Sequence, residues 1–128
     1  MKVKQYRELI VWQKAMDLVV ATYRLVKLLP KDEAFALSSQ MRRAVVSIPS
    51  NIAEGQSRSS TKEFANFLSI AKGSNAELET QIEVGVRLGF FSSDQIETPL
   101  SLANGVGRML TVLIAKLSTS HSPLATPH

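Results

Sequence analysis

The amino-acid sequence predicts an all-α protein, an antiparallel up-down-up-down bundle of four helices. Three observations predict it. Four segments carry apolar residues at alternating spacings of three and four, the period of a helix with one buried face. Proline, glycine and small polar residues separate the segments. No strand-like pattern of period two competes with them. Short connections between amphipathic helices then favour antiparallel neighbours.

The first segment runs from about Glu8 to Leu29. Trp12, Met16, Val19, Tyr23 and Val26 form its predicted core stripe, and Leu9, Ile10, Val20 and Leu28 widen the apolar surface. Pro30 ends it, and the acids Asp32 and Glu33 suit the start of a following helix. The second segment spans about Glu33 to Gly55. Leu37, Met41, Val45, Ile48 and Ile52 keep one phase across Pro49, which predicts one helix kinked at the proline rather than two helices. Ser47 or Ser50 is expected to satisfy backbone groups freed by Pro49, and Gly55 is the expected C-cap.

The third segment, about Ser60 to Gly89, opens on a Ser60–Glu63 capping-box pattern. Phe64, Phe67, Leu68, Ala71, Leu78, Ile82 and Val86 mark its core face. Gly73, Ser74 and Asn75 interrupt it, small enough for close approach, and an asparagine in a seam can fix register. Glu83 and Arg87 form an i, i+4 pair, and Gly89 ends the helix. The fourth segment, about Ser93 to Leu117, carries Ile96, Leu100, Ala103, Leu110, Ile114 and Leu117. Its start is open between Ser93 and a Thr98 cap with Pro99 as first residue. Gly105 and Gly107 weaken its middle. Residues 1–118 are thus expected to form the bundle, and 119–128 a disordered, Pro/Ser/Thr-rich tail.

Composition narrows the function classes. With 128 residues the chain matches one domain able to bury a core. It contains no cysteine, which excludes disulfides, thiolate metal sites and a cysteine nucleophile. No uninterrupted apolar run approaches the roughly 18 residues of a membrane span, and the apolar run LIVW is too short for a signal peptide; the expectation is a cytoplasmic protein without membrane contact. Residues 1–62 hold eleven Lys/Arg against five Asp/Glu, and residues 63–128 hold four against six, so the net charge of +4 splits into +6 and −2. A basic half attracts polyanions or merely confers solubility.

Nothing in the pattern points to catalysis. The two histidines, His121 and His128, lie in the tail, so no inward Glu-x-x-His pair of a di-iron bundle is present. Glu77, Glu79 and Glu83 read as a solvated face. There is no G-x-S-x-G, P-loop or dinucleotide fingerprint. The expectation is a non-enzyme with no cofactor and no metal.

The basic residues are the remaining candidates. Arg43 lies nearly opposite the core stripe of the second helix and Arg42 about 100° from its centre. Arg58 and Lys62 follow at the next connection, and Arg7 and Lys14 could extend the surface. Arginine forks suit phosphates, but Arg43 could equally pair with a carboxylate such as Glu54 or Glu79. Val46, Pro49 and Ala53 lie together off the core stripe, a candidate subunit interface.

Three blocks carry a family resemblance: Q-x-R-R-A at Gln40 to Ala44, S-I-P-x-N-I-A-E-G at Ser47 to Gly55, and A-x-G-S-x-x-E at Ala71 to Glu77. In their order and spacing, over roughly Tyr6 to Leu117, the chain resembles the S23 ribosomal, or 23S rRNA intervening-sequence, family of bacterial four-helix-bundle proteins. Pro99, the glycines of the fourth helix and the tail depart from the pattern. The resemblance implies a small cytosolic bundle assembling into a ring, a homopentamer. It also relates the chain to accessory variability proteins of diversity-generating retroelements, basic pentamers that bind nucleic acid and partner a reverse transcriptase. Two functions follow as expectations: an oligomeric accessory that binds RNA or DNA, or a homo-oligomeric interaction scaffold for a partner protein.

Overall fold

The computed structural model describes residues 5–33 and 35–121. Four helices form: α1 Ile10–Val26, α2 Leu37–Gln56, α3 Thr61–Arg87 and α4 Ser93–His121, with short 3-10 helices at Tyr6–Glu8 and Lys31–Glu33. The described residues contain no strand. Each helix packs against its neighbours in the chain, and α1 also packs against α4, so the four enclose one core.

In α2 the structure matches the expected phase. Leu37, Met41, Val45, Ile48 and Ile52 are all buried, and one helix continues through Pro49. Pro49 deprives the Val45 carbonyl of its usual partner. The nearby side chains serve the carbonyls on either side instead. Ser47 donates to Ala44, Ser50 to Val46 and Asn51 to Ser47, at 3.0, 2.8 and 2.8 Å.

In α1 the core stripe lies one residue earlier than predicted. Val11, Ala15, Leu18, Thr22 and Leu25 face inward with Val26, whereas Met16 and Tyr23 are exposed and Trp12 and Val19 only half-buried. Both stripes have helical spacing, and they differ by one residue, a rotation of about 100°. The smaller Ala15 and Thr22 fit between the neighbouring helices, and the bulkier Trp12, Met16 and Tyr23 are displaced to the flank.

Gly55 is not a C-cap. It lies within α2, buried, and the helix ends at Ser57. A Cβ there would stand 2.6 Å from the Phe67 Cβ of α3. Glycine is needed for the close approach of two helices, not for a turn.

The third helix starts as the sequence indicates, with the Ser60 hydroxyl accepting from the Glu63 N–H at 3.1 Å. It ends in a Schellman motif. Gly89 has φ +84, its N–H donates to Val86, and the Phe90 N–H donates to Gly85 at 2.8 Å. A complete capping box then opens α4. Gln95 Oε1 accepts from the Ser92 N–H at 2.9 Å, and Ser92 Oγ accepts from the Gln95 N–H at 3.3 Å. The cap is therefore Ser92. Thr98 and Pro99 lie inside α4, with Pro99 buried. The helix also runs past Leu117 to His121; residues 122–128 of the expected tail lie outside the described residues.

The inner face of α4 consists of Pro99, Ala103, Val106 and Leu110, with Ile96, Leu100, Ile114 and Leu117 half-buried beside it. By length and composition alone Ser93–Thr119 could cross a membrane, at mean hydropathy 1.3. That exceeds the expectation from uninterrupted apolar runs, because isolated Ser, Thr and Gly between apolar residues barely lower the average.

The glycines give a test of opposite signs. Gly55→Ala should destabilise the fold by about 1–3 kcal/mol through overpacking. Gly73→Ala, where a Cβ meets nothing within 4 Å, should stabilise it by up to about 1 kcal/mol. Urea denaturation of the two variants checks both signs.

Candidate nucleic-acid interface

Arg42 and Arg43 lie in the second turn of α2, but their surroundings differ. Arg42 is half-buried, and its Nη1 donates to the Ser38 hydroxyl at 2.9 Å. Ser38 is itself buried, so this bond holds the arginine against the helix surface. Arg43 is exposed and makes no hydrogen bond or ion pair among the described residues. Of its two expected carboxylate partners, Glu54 is taken by Arg58.

Arg58 is held from two sides. Its guanidinium pairs with Glu54 and lies 4.9 Å from the centre of the Phe67 ring. The Cβ of the same Phe67 is what meets Gly55, so the cation lies beside the close approach of α2 and α3. Lys62, on the first turn of α3, is exposed and unpaired among the described residues. Arg58 and Lys62 flank the α2–α3 connection, fifteen or more positions beyond Arg43. At 1.5 Å per residue that is about 20 Å, so the α2 pair and this second pair are separate patches.

The N-terminal candidates are placed by aromatic side chains. Tyr6 and Trp12 meet edge to face at 5.2 Å, and the Arg7 guanidinium lies 5.7 and 5.8 Å from their ring centres. Gln13 donates to the Arg7 carbonyl at 2.9 Å and ties the 3-10 helix to α1. Lys14, on the next turn, is exposed and unpaired among the described residues. The six candidates therefore form a discontinuous basic surface rather than one pocket.

The proposed interface strip on α2 also divides. Val46 is 40% exposed, Ala53 is half-buried, and Pro49 is buried within the chain. On α2, Gly55 and Ser47 face α3, the latter through a hydrogen bond to Ser74. Among the described residues no group of three or more His, Cys, Asp or Glu could hold a metal.

Sequence reasoning missed one basic pair. Lys72 of α3 and Arg108 of α4 line a common groove. They are 36 positions apart in the half of the chain with net charge −2, so no local run marks them.

The fold and these blocks agree with a comparison across protein families. Residues 7–112 match the family model described as 23S rRNA-intervening sequence protein. The chain belongs to that family. Its fold is similar to a crystal structure from Bacteroides thetaiotaomicron, a protein of unknown function from the S23 ribosomal protein family. The two are 27% identical with a TM-score of 0.76, over 82% of this chain and 98% of the other. No curated protein matches the chain.

The environments of the arginines predict different costs. Replacing exposed, unpaired Arg43 by alanine should change stability by less than about 0.5 kcal/mol. Arg58→Ala removes both the ion pair and the ring contact, and should cost about 1 kcal/mol. Thermal unfolding of the two variants side by side checks the order.

Proposed function

We propose that this family member is a non-enzymatic, oligomeric, cytoplasmic accessory protein that binds RNA or DNA through its basic surface. The observation that carries the reading is the set of exposed cations without carboxylate partners: Arg43, Lys14 and Lys62, among the described residues. Side chains kept only for surface ion pairs would be expected beside acids, as Arg87 is beside Glu83. Arg42 and Arg7 extend the same surface, while Arg58 contributes less because Glu54 already neutralises it. Such a surface would follow phosphates and not base edges, so binding would be sequence-tolerant.

Within the subunit we read the helices as running up-down-up-down, with α2 bent at Pro49. Only four residues join α2 to α3 and five join α3 to α4. They reach about 18 Å at most, too short to return along a 27-residue helix of about 40 Å.

Assembly into a ring, a pentamer by the family resemblance, is supported by the apolar flank of α1. Met16, Val20 and Tyr23 are 40–49% exposed, beside half-buried Trp12 and Val19. This face, together with Val46 and part of Ala53, is the proposed subunit contact. It also favours the second reading, a homo-oligomeric scaffold for a partner protein, in which the arginines play no part in nucleic-acid binding.

Two experiments separate these readings. Binding to a labelled RNA and a labelled DNA should be measurable at low salt and should weaken steeply as salt rises. Arg42→Ala with Arg43→Ala should weaken it by about tenfold without altering oligomer size. No binding at low salt would leave only the scaffold reading. Separately, Met16→Glu with Tyr23→Glu should convert the oligomer to monomer in light scattering; an unchanged mass places the contact elsewhere.

A further inference from the structure

Two aromatic rings and one guanidinium meet where the chain enters α1. Tyr6 and Trp12 pack edge to face at 5.2 Å, with an interplanar angle of 63°. Both are half-buried, so each keeps part of its surface open to solvent. Arg7 between them is exposed, and its guanidinium lies 5.7 and 5.8 Å from the two ring centres. It has no carboxylate partner among the described residues. The 3-10 helix is already held by buried Leu9 and by the bond from Gln13 to the Arg7 carbonyl, so anchoring does not require the guanidinium.

The surroundings are cationic. Residues 1–14 contain Lys2, Lys4, Arg7 and Lys14 against one acid, Glu8; Lys2 and Lys4 lie outside the described residues. Lys14 is exposed and unpaired among the described residues. The cluster sits at the N-terminal end of α1, one turn before Met16, where the apolar flank proposed as the subunit contact begins.

Cations alone suffice to hold phosphates, and they do so equally on a duplex or a single strand. Open aromatic surface beside a cation has a narrower use. In a duplex both faces of a base are covered by its neighbours in the stack, whereas an unpaired strand can lay its bases on aromatic rings and guanidinium planes. We infer that Tyr6, Trp12 and Arg7 form a stacking platform for single-stranded nucleic acid. A base stacks against the aromatic pair, and Arg7 and Lys14 hold the adjoining phosphates. This rests on the nucleic-acid reading above and narrows its partner to an unpaired strand.

The chain has one tryptophan, so the emission of Trp12 reports on the platform directly. The full chain is titrated at low salt with poly(dT), with poly(U) and with the duplex poly(dA)·poly(dT). At least one single strand should quench Trp12 saturably and bind more tightly than the duplex. Tyr6→Leu should weaken single-strand binding by about fivefold or more and leave duplex binding unchanged. Tyr6→Phe, which keeps the ring, should bind as the unaltered chain does. Circular dichroism of both variants should show an unchanged helix content, and Tyr6→Phe separates loss of the ring from loss of the hydroxyl. Duplex binding as tight as single-strand binding overturns this inference alone, as does single-strand binding that leaves Trp12 emission unchanged. Equal affinities of Tyr6→Leu and the unaltered chain for the single strand overturn it too, and all three outcomes leave the basic surface standing. Absence of binding to any of the three polymers overturns both readings together.

Discussion

The hydrogen bond from the buried Asn75 amide to the Ala103 carbonyl sets how α3 sits on α4. A buried amide has few positions in which it can find a partner, and sliding one helix past the other would strand the Asn75 Nδ2 donor. The seam is thereby fixed in register, and the rest of the molecule inherits that alignment. Gly107 must face Asn75, and Lys72 and Arg108 must then border the same groove. On the other side of α3 the bare backbone of Gly55 admits Phe67, and the Ser47–Ser74 hydrogen bond adds a second polar link to α2. Apolar burial supplies the drive to fold, while these few specific contacts choose one alignment from many.

How much of this the sequence discloses differs from helix to helix. In α2 the predicted stripe occupies a narrow arc and is buried throughout, but the inward face is wider than that stripe and takes in Ala44 and Pro49, the latter grouped by its angle with the outer strip. In α1 apolar residues cover more than one face. Two stripes of equal spacing compete, and side-chain size, unseen by a periodicity argument, decides for Ala15 and Thr22 over Met16 and Tyr23. The same residues leave an exposed apolar flank on α1. Glycine was ambiguous for a related reason: Gly89 serves a turn and Gly55 serves a helix contact, and only the neighbour across the gap tells them apart. The Ser92–Gln95 box is written in the sequence, but Thr98 and Pro99 supply a competing start signal downstream of it.

The candidate site shows the complementary limit. Exposure of Arg43 follows from its angle on the helix, and the structure places it so. That Arg58 is already held by Glu54 and Phe67 requires tertiary contacts, although the i, i+4 spacing to Glu54 hinted at it. Lys72 and Arg108 border one groove only because the register of two helices places them there, and no local pattern encodes that. Charge counted along the chain and charge gathered in space are different quantities, and the acidic half of this sequence contains a cationic edge.

The α3–α4 connection has a kinetic consequence. Its five residues are closed on one side by the Schellman bonds of Gly89 and Phe90 and on the other by the Ser92–Gln95 box, with Phe91 buried over Gly85. Each of these contacts joins residues less than ten positions apart, so little chain entropy opposes their formation. The hairpin is thus suited to nucleate early, with its own ends already satisfied. Packing α1 against α4 closes the longest loop in the molecule. Of the four helix contacts, the α3–α4 hairpin thus costs little chain entropy to form, and the seam between first and last helix costs the most.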